Sequence, residues 1–306
     1  PMKEPQDVPF EKEGQYLKSD NRSNISYFLE HNVLLRRFTL SVGVLANYNS
    51  ALNEGIHFYP GIDASYRIGD NVRLYGSWNR ALRMPTFTDL YYEGKTNKGN
   101  PDLKPEESEA FEVGLKYNTY FLRAHIAGFY RKGKNMIDWV KEKPEDIWES
   151  RNLTKVDNLG FETNLSLLPR ELGNERFFIR KIELGYAFIH QDKDSEGYIS
   201  NYALDYLKHK FTAQLSHSIW KGFSATWYVR WQDRAGSYTK YENLKPAYEE
   251  PYAPYCLVDM KVNWEYQRLN LYAELNNLLN STYYDLGNIP QPGIWFKAGF
   301  RYSFKY

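Results

Sequence analysis

From about residue 23 to its last residues the chain repeats one pattern: an apolar side chain at every second position over some ten residues, a short break, and the pattern again. Phe296, Ala298, Phe300, Tyr302, Phe304 and Tyr306 share one parity, and Lys297, Gly299, Arg301, Ser303 and Lys305 the other. Leu269, Leu271, Ala273 and Leu275 oppose Asn270, Tyr272, Glu274 and Asn276, and Cys256, Val258, Met260, Val262 and Trp264 oppose Asp259, Lys261, Asn263 and Glu265. A period of two is that of a strand with one oily face and cannot satisfy a helix. About 13 such segments are predicted, at 23–33, 37–48, 57–68, 71–82, 108–118, 120–141, 147–169, 177–191, 207–219, 222–234, 255–265, 268–278 and 294–305. Their length suits a tilted strand crossing a bilayer, which needs about 9 to 11 residues.

Two architectures use such strands. A soluble β-sandwich would bury the oily faces against one another. A transmembrane antiparallel barrel would turn them to lipid and keep the opposite faces wet. Two features favour the barrel. Aromatics, 17% of the chain, gather towards the ends of the oily faces, as at lipid interfaces. The opposite faces carry Arg73, Asp259, Glu265 and Arg301, costly in a dry core and cheap against a water-filled lumen.

The connections alternate as well. Arg36-Arg37, Gly69-Asp70, Asn118-Thr119, Lys221-Gly222 and Tyr266-Gln267 mark short turns, whereas 83–107, 142–155, 191–206, 235–254 and 279–293 are long and polar. In outer-membrane barrels short turns face the periplasm and long loops the exterior. An odd strand count then places the polar leader 1–22 outside and the C-terminus in the periplasm, with residues 23–306 forming the barrel portion. The chain opens on Pro1-Met2-Lys3 without the regions of a signal peptide, and is expected to be an internal piece of a longer precursor.

Several classes are excluded or disfavoured. With 39 Lys+Arg against 38 Asp+Glu the formal charge is +1, so no chain-wide field draws nucleic acid. No apolar run reaches the roughly 18 residues of a spanning helix. The single Cys256 allows no internal disulfide and no cysteine-built metal site. Six histidines, at 31, 57, 125, 190, 209 and 217, lie on separate segments, and no nucleophile motif accompanies them, so enzyme function and a resident cofactor are not expected. Asp192-Lys193-Asp194-Ser195-Glu196-Gly197 offers hard oxygens for calcium but lacks a known loop's spacing, and a solvated charge run is the plainer reading.

Specific motifs sharpen the picture. Arg83-Met84-Pro85-Thr86-Phe87-Thr88-Asp89-Leu90-Tyr91-Tyr92, Gly99-Asn100-Pro101-Asp102-Leu103-Lys104-Pro105-Glu106 and Phe111-Glu112-Val113-Gly114-Leu115 occur in that order. They are followed by Met136-Ile137-Asp138-Trp139, Asn152-Leu153, Gly160-Phe161-Glu162, Asn276-Asn277-Leu278-Leu279-Asn280, Tyr283-Tyr284, Pro292-Gly293 and Tyr302-Ser303-Phe304. As an ordered set over roughly residues 55–306 they resemble the TonB-dependent outer-membrane receptor family. The chain departs from the family pattern at Ile294, where Arg is frequent, and in Lys305-Tyr306 beyond the usual terminal Phe304.

That resemblance implies the C-terminal part of a barrel of about 22 strands, without the N-terminal plug that contacts TonB. It implies a bacterial outer-membrane location, contact with lipid, recognition by the barrel-assembly machinery through the strand ending at Phe304, and a small-molecule ligand taken up actively. Cobalamin and ferric siderophores are the implied ligand classes, because the loops are of moderate length where glycan importers of the family have very large ones; cobalamin is placed first of the two. Two other readings stand beside it: a passive porin-like or adhesin-like barrel, and a barrel hydrolase.

For the motif residues Asn100, Pro101, Leu103, Pro105 and Glu106 a rigid loop root is the plainer role, and for Asn276-Asn277 a hydrogen-bonding strand end; Asn280, Pro292 and Gly293 are motif residues that the resemblance supplies. The Asn-Pro and Lys-Pro steps hold the chain extended. Tyr91, Tyr92, Tyr238, Tyr241, Tyr283 and Tyr284 are the candidate ligand contacts, since tyrosine gives flat apolar faces with polar tips at small entropy cost; packing between loops uses the same residues. A piece of a barrel would also have two open edges, which lipid does not tolerate. The missing strands are expected as a separate polypeptide, or the piece closes on itself or on another copy. A free edge in the chain alone counts against this account.

Overall fold

The computed structural model describes residues 21–51, 55–143, 145–173, 176–194, 197–200, 206–242, 245–287 and 289–304. Thirteen long strands form one continuous antiparallel sheet in strict sequence order. They are β1 Asn24–Leu34, β2 Phe38–Asn49, β3 Ile56–Arg67, β4 Val72–Arg83, β5 Glu106–Asn118, β6 Leu122–Lys141, β7 Trp148–Leu167, β8 Ile179–Asp194, β9 Leu207–Trp220, β10 Phe223–Arg234, β11 Tyr255–Tyr266, β12 Leu269–Asn276 and β13 Trp295–Tyr302. Every predicted segment is one of these strands, with ends shifted by a few residues.

The register shows that the oily parities share one surface. One row runs Val33, Leu40, Ala64, Gly76, Val113, Gly128, Phe161, Phe188 across β1 to β8. A lower row continues Leu122, Leu167, Ile182, Leu215, Trp227, Met260, Leu275, Phe296 across β6 to β13. No second sheet packs on that surface among the described residues. Phe300 is 74% exposed and Phe296 62%, and Val258 is half-buried between strand neighbours on the same face. A sandwich core is therefore absent, and an apolar face this wide is the mark of a lipid-facing surface. Near the short turns the face ends in exposed Tyr66, Tyr120, Phe178, Trp220, Tyr266, Tyr302 and Phe304, as an interfacial aromatic girdle does.

The opposite face is polar and concave. Lys116, Arg123, His125, Asn164, Glu183, Gln214, Arg230 and Asp259 line one shared hollow on it. Here large rings lie flat across the wall over glycines on the next strand: Tyr75 over Gly114, Phe129 over Gly160 and Tyr272 over Gly299, each leaving no room for a Cβ. Ion pairs cross strands on this face, as in Lys261–Glu274–Lys297, where Nζ to carboxylate distances are 2.7 and 2.5 Å.

Short turns join the strands at one end. Lys221 and Gly222 take positive φ of 31° and 86°, the handedness that two-residue hairpin turns require. The exception is 168–178, which holds a 3-10 turn at Pro169–Leu172 closed by Gly173 at φ 102°. The other end carries the long connections. These are not wholly irregular: Ser237–Glu242 pairs with Lys245–Pro251, and Tyr284–Leu286 with Ile289–Pro290.

The sheet does not close. Among the described residues β1 pairs only with β2, and β13 only with β12. Of the three alternatives for the edges, self-closure is thereby removed; the free edges count against the account for this chain alone, and leave further strands or another copy to cover them. Among themselves the long strands pair only with their sequence neighbours, so thirteen of them make an arc, and nothing among the described residues bridges its ends. The leader 1–20, part of the acidic run around Glu196, and Lys305-Tyr306 lie outside the described residues.

Candidate functional site

The long connections and the inner wall beneath them form the candidate site. The connection from β4 to β5 is built around a short helix, α1 Phe87–Tyr91. Thr86 caps it: its Oγ1 accepts from the Asp89 N–H at 3.1 Å, and the buried Asp89 carboxylate accepts from the Thr86 N–H at 3.0 Å. The spacing Thr86-x-x-Asp89 is a helix-start signature that the strand pattern eclipsed. Three contacts then fold the loop onto this helix. The Asp89 carbonyl accepts from the Ser150 hydroxyl at 2.6 Å and from the Asn100 N–H at 2.9 Å, and the Gly99 N–H reaches the Tyr92 carbonyl at 2.6 Å. A Cβ on Gly99 would stand 2.8 Å from helix backbone atoms, so only glycine fits.

The motif residues that follow form a root. Asn100 Oδ1 accepts from the Asp102 N–H across Pro101 at 2.9 Å, and Leu103 is buried. After Lys104 and Pro105 the chain returns to Glu106, the first residue of β5. Asn152 on β7 clamps it, accepting from the Lys104 N–H at 2.8 Å and donating to the Lys104 and Asn135 carbonyls. Glu106 is 7% exposed. Its carboxylate accepts from Arg83 Nε and Nη2 at 2.5 and 2.6 Å and from the Ile137 N–H at 2.7 Å, which ties three strands together at the loop end.

The last long connection has an equivalent root. Asn277, 3% exposed with φ 51°, donates from Nδ2 to the Ser281 and Pro292 carbonyls and accepts from the Ser281 N–H. Asn280 Oδ1 accepts from the Ile294 N–H at 3.0 Å and leaves no space for a Cβ on Gly293. Phe304 is 78% exposed at the opposite end, its ring edge-on to Tyr302 at 5.0 Å.

The tyrosines fall into two groups. Tyr91 stacks on Phe87 at 6.4 Å and Tyr92 meets Trp139 edge-on at 6.3 Å; the Arg22 guanidinium sits 5.0 Å over Phe87 and donates to the Pro85 carbonyl. In the second group Tyr238 lies between Tyr252 and Tyr284, each at 5.2 Å, and Tyr283 packs on Tyr255 at 4.6 Å. No ring contact joins the groups among the described residues. Tyr238 is buried, and that burial pushes its phenol above the ordinary range. Tyr241 is exposed on the hairpin, where a hydrogen bond to Glu250 raises the neighbouring Lys240 ammonium.

Below the first group the inner wall of β1 to β4 is rich in amides, a feature not singled out from the sequence. Asn47 donates to Asn24 Oδ1 at 2.9 Å and Ser26 Oγ at 2.8 Å, and Asn49 also reaches Asn24. With Arg22, Tyr59, Asn79 and Met84 they line a hollow of about 730 Å³. The signal was present as asparagine recurring at inward positions near the loop end. No group of three or more His, Cys, Asp or Glu side chains that could hold a metal ion occurs among the described residues. The arrangement can therefore offer rings, amides and a guanidinium to a reversibly bound ligand.

Comparison with known proteins places these features. Residues 5–278 match the family model described as TonB dependent receptor-like, beta-barrel. A vitamin B12 transporter of Vibrio vulnificus is 25% identical over 191 residues, covering 57% of this chain and 30% of that protein. A ferrienterobactin receptor of Escherichia coli is 22% identical over 297 residues, covering 88% and 38%. A crystal structure of a ferric enterobactin receptor mutant of Pseudomonas aeruginosa aligns over 92% of this chain and 45% of its own length, with TM-score 0.71 and 20% identity. The chain thus spans about a third of the curated relatives it matches.

Proposed function

Because the chain belongs to the TonB dependent receptor-like β-barrel family, and so to the bacterial outer membrane, we propose that it is the C-terminal portion of the barrel of a receptor for active uptake. The ligand is scarce and too large for passive pores, with cobalamin placed ahead of ferric siderophores. Strands beyond these residues complete the barrel and satisfy the open edges of β1 and β13, and the TonB system acts through a plug carried elsewhere. The barrel-assembly machinery reads strand β13 and the exposed Phe304 that follows it.

The observation that carries this reading is the loop-end architecture: roots locked by Glu106, Asn152 and Asn277 hold two aromatic groups at the loop end, the first of them above an amide-lined wall. Tyr91, Tyr92, Tyr241, Tyr283 and Tyr284 are the proposed ligand contacts, and buried Tyr238 supports Tyr284 from behind. No covalent step is needed. Uptake follows if the loops bind tightly in one state and weakly in another, and the energy source shifts the balance.

Deleting the full-length gene should abolish growth that depends on trace external cobalamin and leave growth on ferric siderophores intact, with the gene supplied in trans restoring it. Unchanged cobalamin-dependent growth discards that ligand, and loss of growth on ferric siderophores instead moves the assignment to that class.

A further inference from the structure

The lipid-facing surface changes character abruptly on β4 to β7. Trp78, Phe111, Tyr130 and Leu159 form one outward row in register, with the Trp78 and Phe111 rings 6.4 Å apart. Two residues nearer the loops, the same face carries Arg80, Glu109, Lys132 and Asp157, and two further on Glu107 and Lys134. These charges hold the oily parity, where every earlier position of β6 from Leu122 to Tyr130 is uncharged.

Depth decides what they meet. Two residues of strand advance about 6.6 Å, less when tilted, and the headgroup layer on each side of the hydrocarbon is about 5 to 7 Å thick. The aromatic row marks the edge of the hydrocarbon, so the first charged row lies among headgroups. Arg80 engages both Glu107 and Glu109, at 3.5 and 3.4 Å. Lys132 and Lys134 are exposed and have no carboxylate within ion-pair distance among the described residues. With Arg80, Glu107 and Glu109 they line a small notch opening on this face.

We propose that this notch binds a phosphate on the headgroup of an outer-leaflet phosphoglycolipid. Lys132 and Lys134 contact the phosphate, Arg80 is held beside them by its two carboxylates, and the acyl chains lie along Trp78, Phe111 and Tyr130. Phosphate fits because the two free cations sit on one strand at adjacent outward positions, and an apolar tail fits because the surface directly beneath them is aromatic. The site is separate from the loop-end ligand site and does not depend on what that site takes up.

The test uses the full-length protein extracted from outer membranes in mild detergent, with heat-modifiable gel migration as the check of folding. Thermal stabilisation is titrated with a phosphorylated lipid A, its dephosphorylated form and inorganic phosphate, and co-purified lipid is read by native mass spectrometry. The wild type should retain the phosphorylated lipid and be stabilised by it alone. Lys132→Gln/Lys134→Gln should bind it about thirtyfold more weakly, as two interfacial charges would dictate. Glu107→Gln/Glu109→Gln should bind it more tightly, which also decides the matter if the lysine variant does not fold. Equal binding by the lysine variant, weaker binding by the glutamate variant, equal stabilisation by dephosphorylated lipid, or an equal effect of inorganic phosphate would each overturn the proposal.

Discussion

Arginine in place of Met260 should cost the assembled barrel about 3 kcal/mol, within the range for a cation on the lipid face at the bilayer midplane. Met260 faces outward between Trp227 and Leu275, midway between Cys256 and Trp264 on β11. The same change at Tyr266, in the girdle at the interface, should cost at most about 1 kcal/mol. At Gln214, inward-facing opposite Glu183, it should likewise stay below about 1 kcal/mol. Denaturant titration of the full-length protein refolded in lipid vesicles measures all three. A cost at Met260 no greater than at Gln214 would mean that the oily face does not meet hydrocarbon.

Alanine at Glu106 should be the most damaging change at the loop end. Three donors converge on that carboxylate: two Arg83 nitrogens and the Ile137 N–H. Breaking a buried charge pair costs about 3 to 5 kcal/mol. Half of the Arg83 side chain is exposed, so water partly re-solvates it and about 2 to 3 kcal/mol is the expected loss. Glutamine keeps an acceptor for Ile137 and should lose roughly half as much. The shift in unfolding midpoint reports the stability, and faster proteolysis within residues 84–105 reports the loosened loop. An alanine variant within about 0.5 kcal/mol of wild type would show that the root is held by Asn152 and Leu103 alone.

The strands were legible because a period of two survives any context in which one face is wet and the other is not. The thirteen segments, the short and long ends, and the inward Arg73, Asp259, Glu265 and Arg301 all follow from that rule. What it hides is anything that reuses strand residues for another purpose. Helix α1 has only five residues, Phe87–Tyr91, too few to show a helical period, and is announced only by its cap, Thr86-x-x-Asp89. Tyr238 and Tyr241 look alike in sequence; only the fold buries one between Tyr252 and Tyr284 and exposes the other. Lys132 and Lys134 break the oily parity, yet their meaning depends on the row of Trp78, Phe111 and Tyr130, which comes from three strands far apart in the chain. Closure was not legible, because pairing between the first and last strands leaves no mark in alternation.

Orientation of the two faces is best measured by a nitroxide scan of β11 from residue 258 to 263 in the full-length protein reconstituted in lipid, with accessibility to oxygen and to a water-soluble nickel chelate recorded at each site. Labels at Val258, Met260 and Val262 should favour oxygen, and those at Asp259, Lys261 and Asn263 the chelate, in strict alternation. Low accessibility to both reagents at Val258, Met260 and Val262 would place these side chains in a dry protein core and contradict the account.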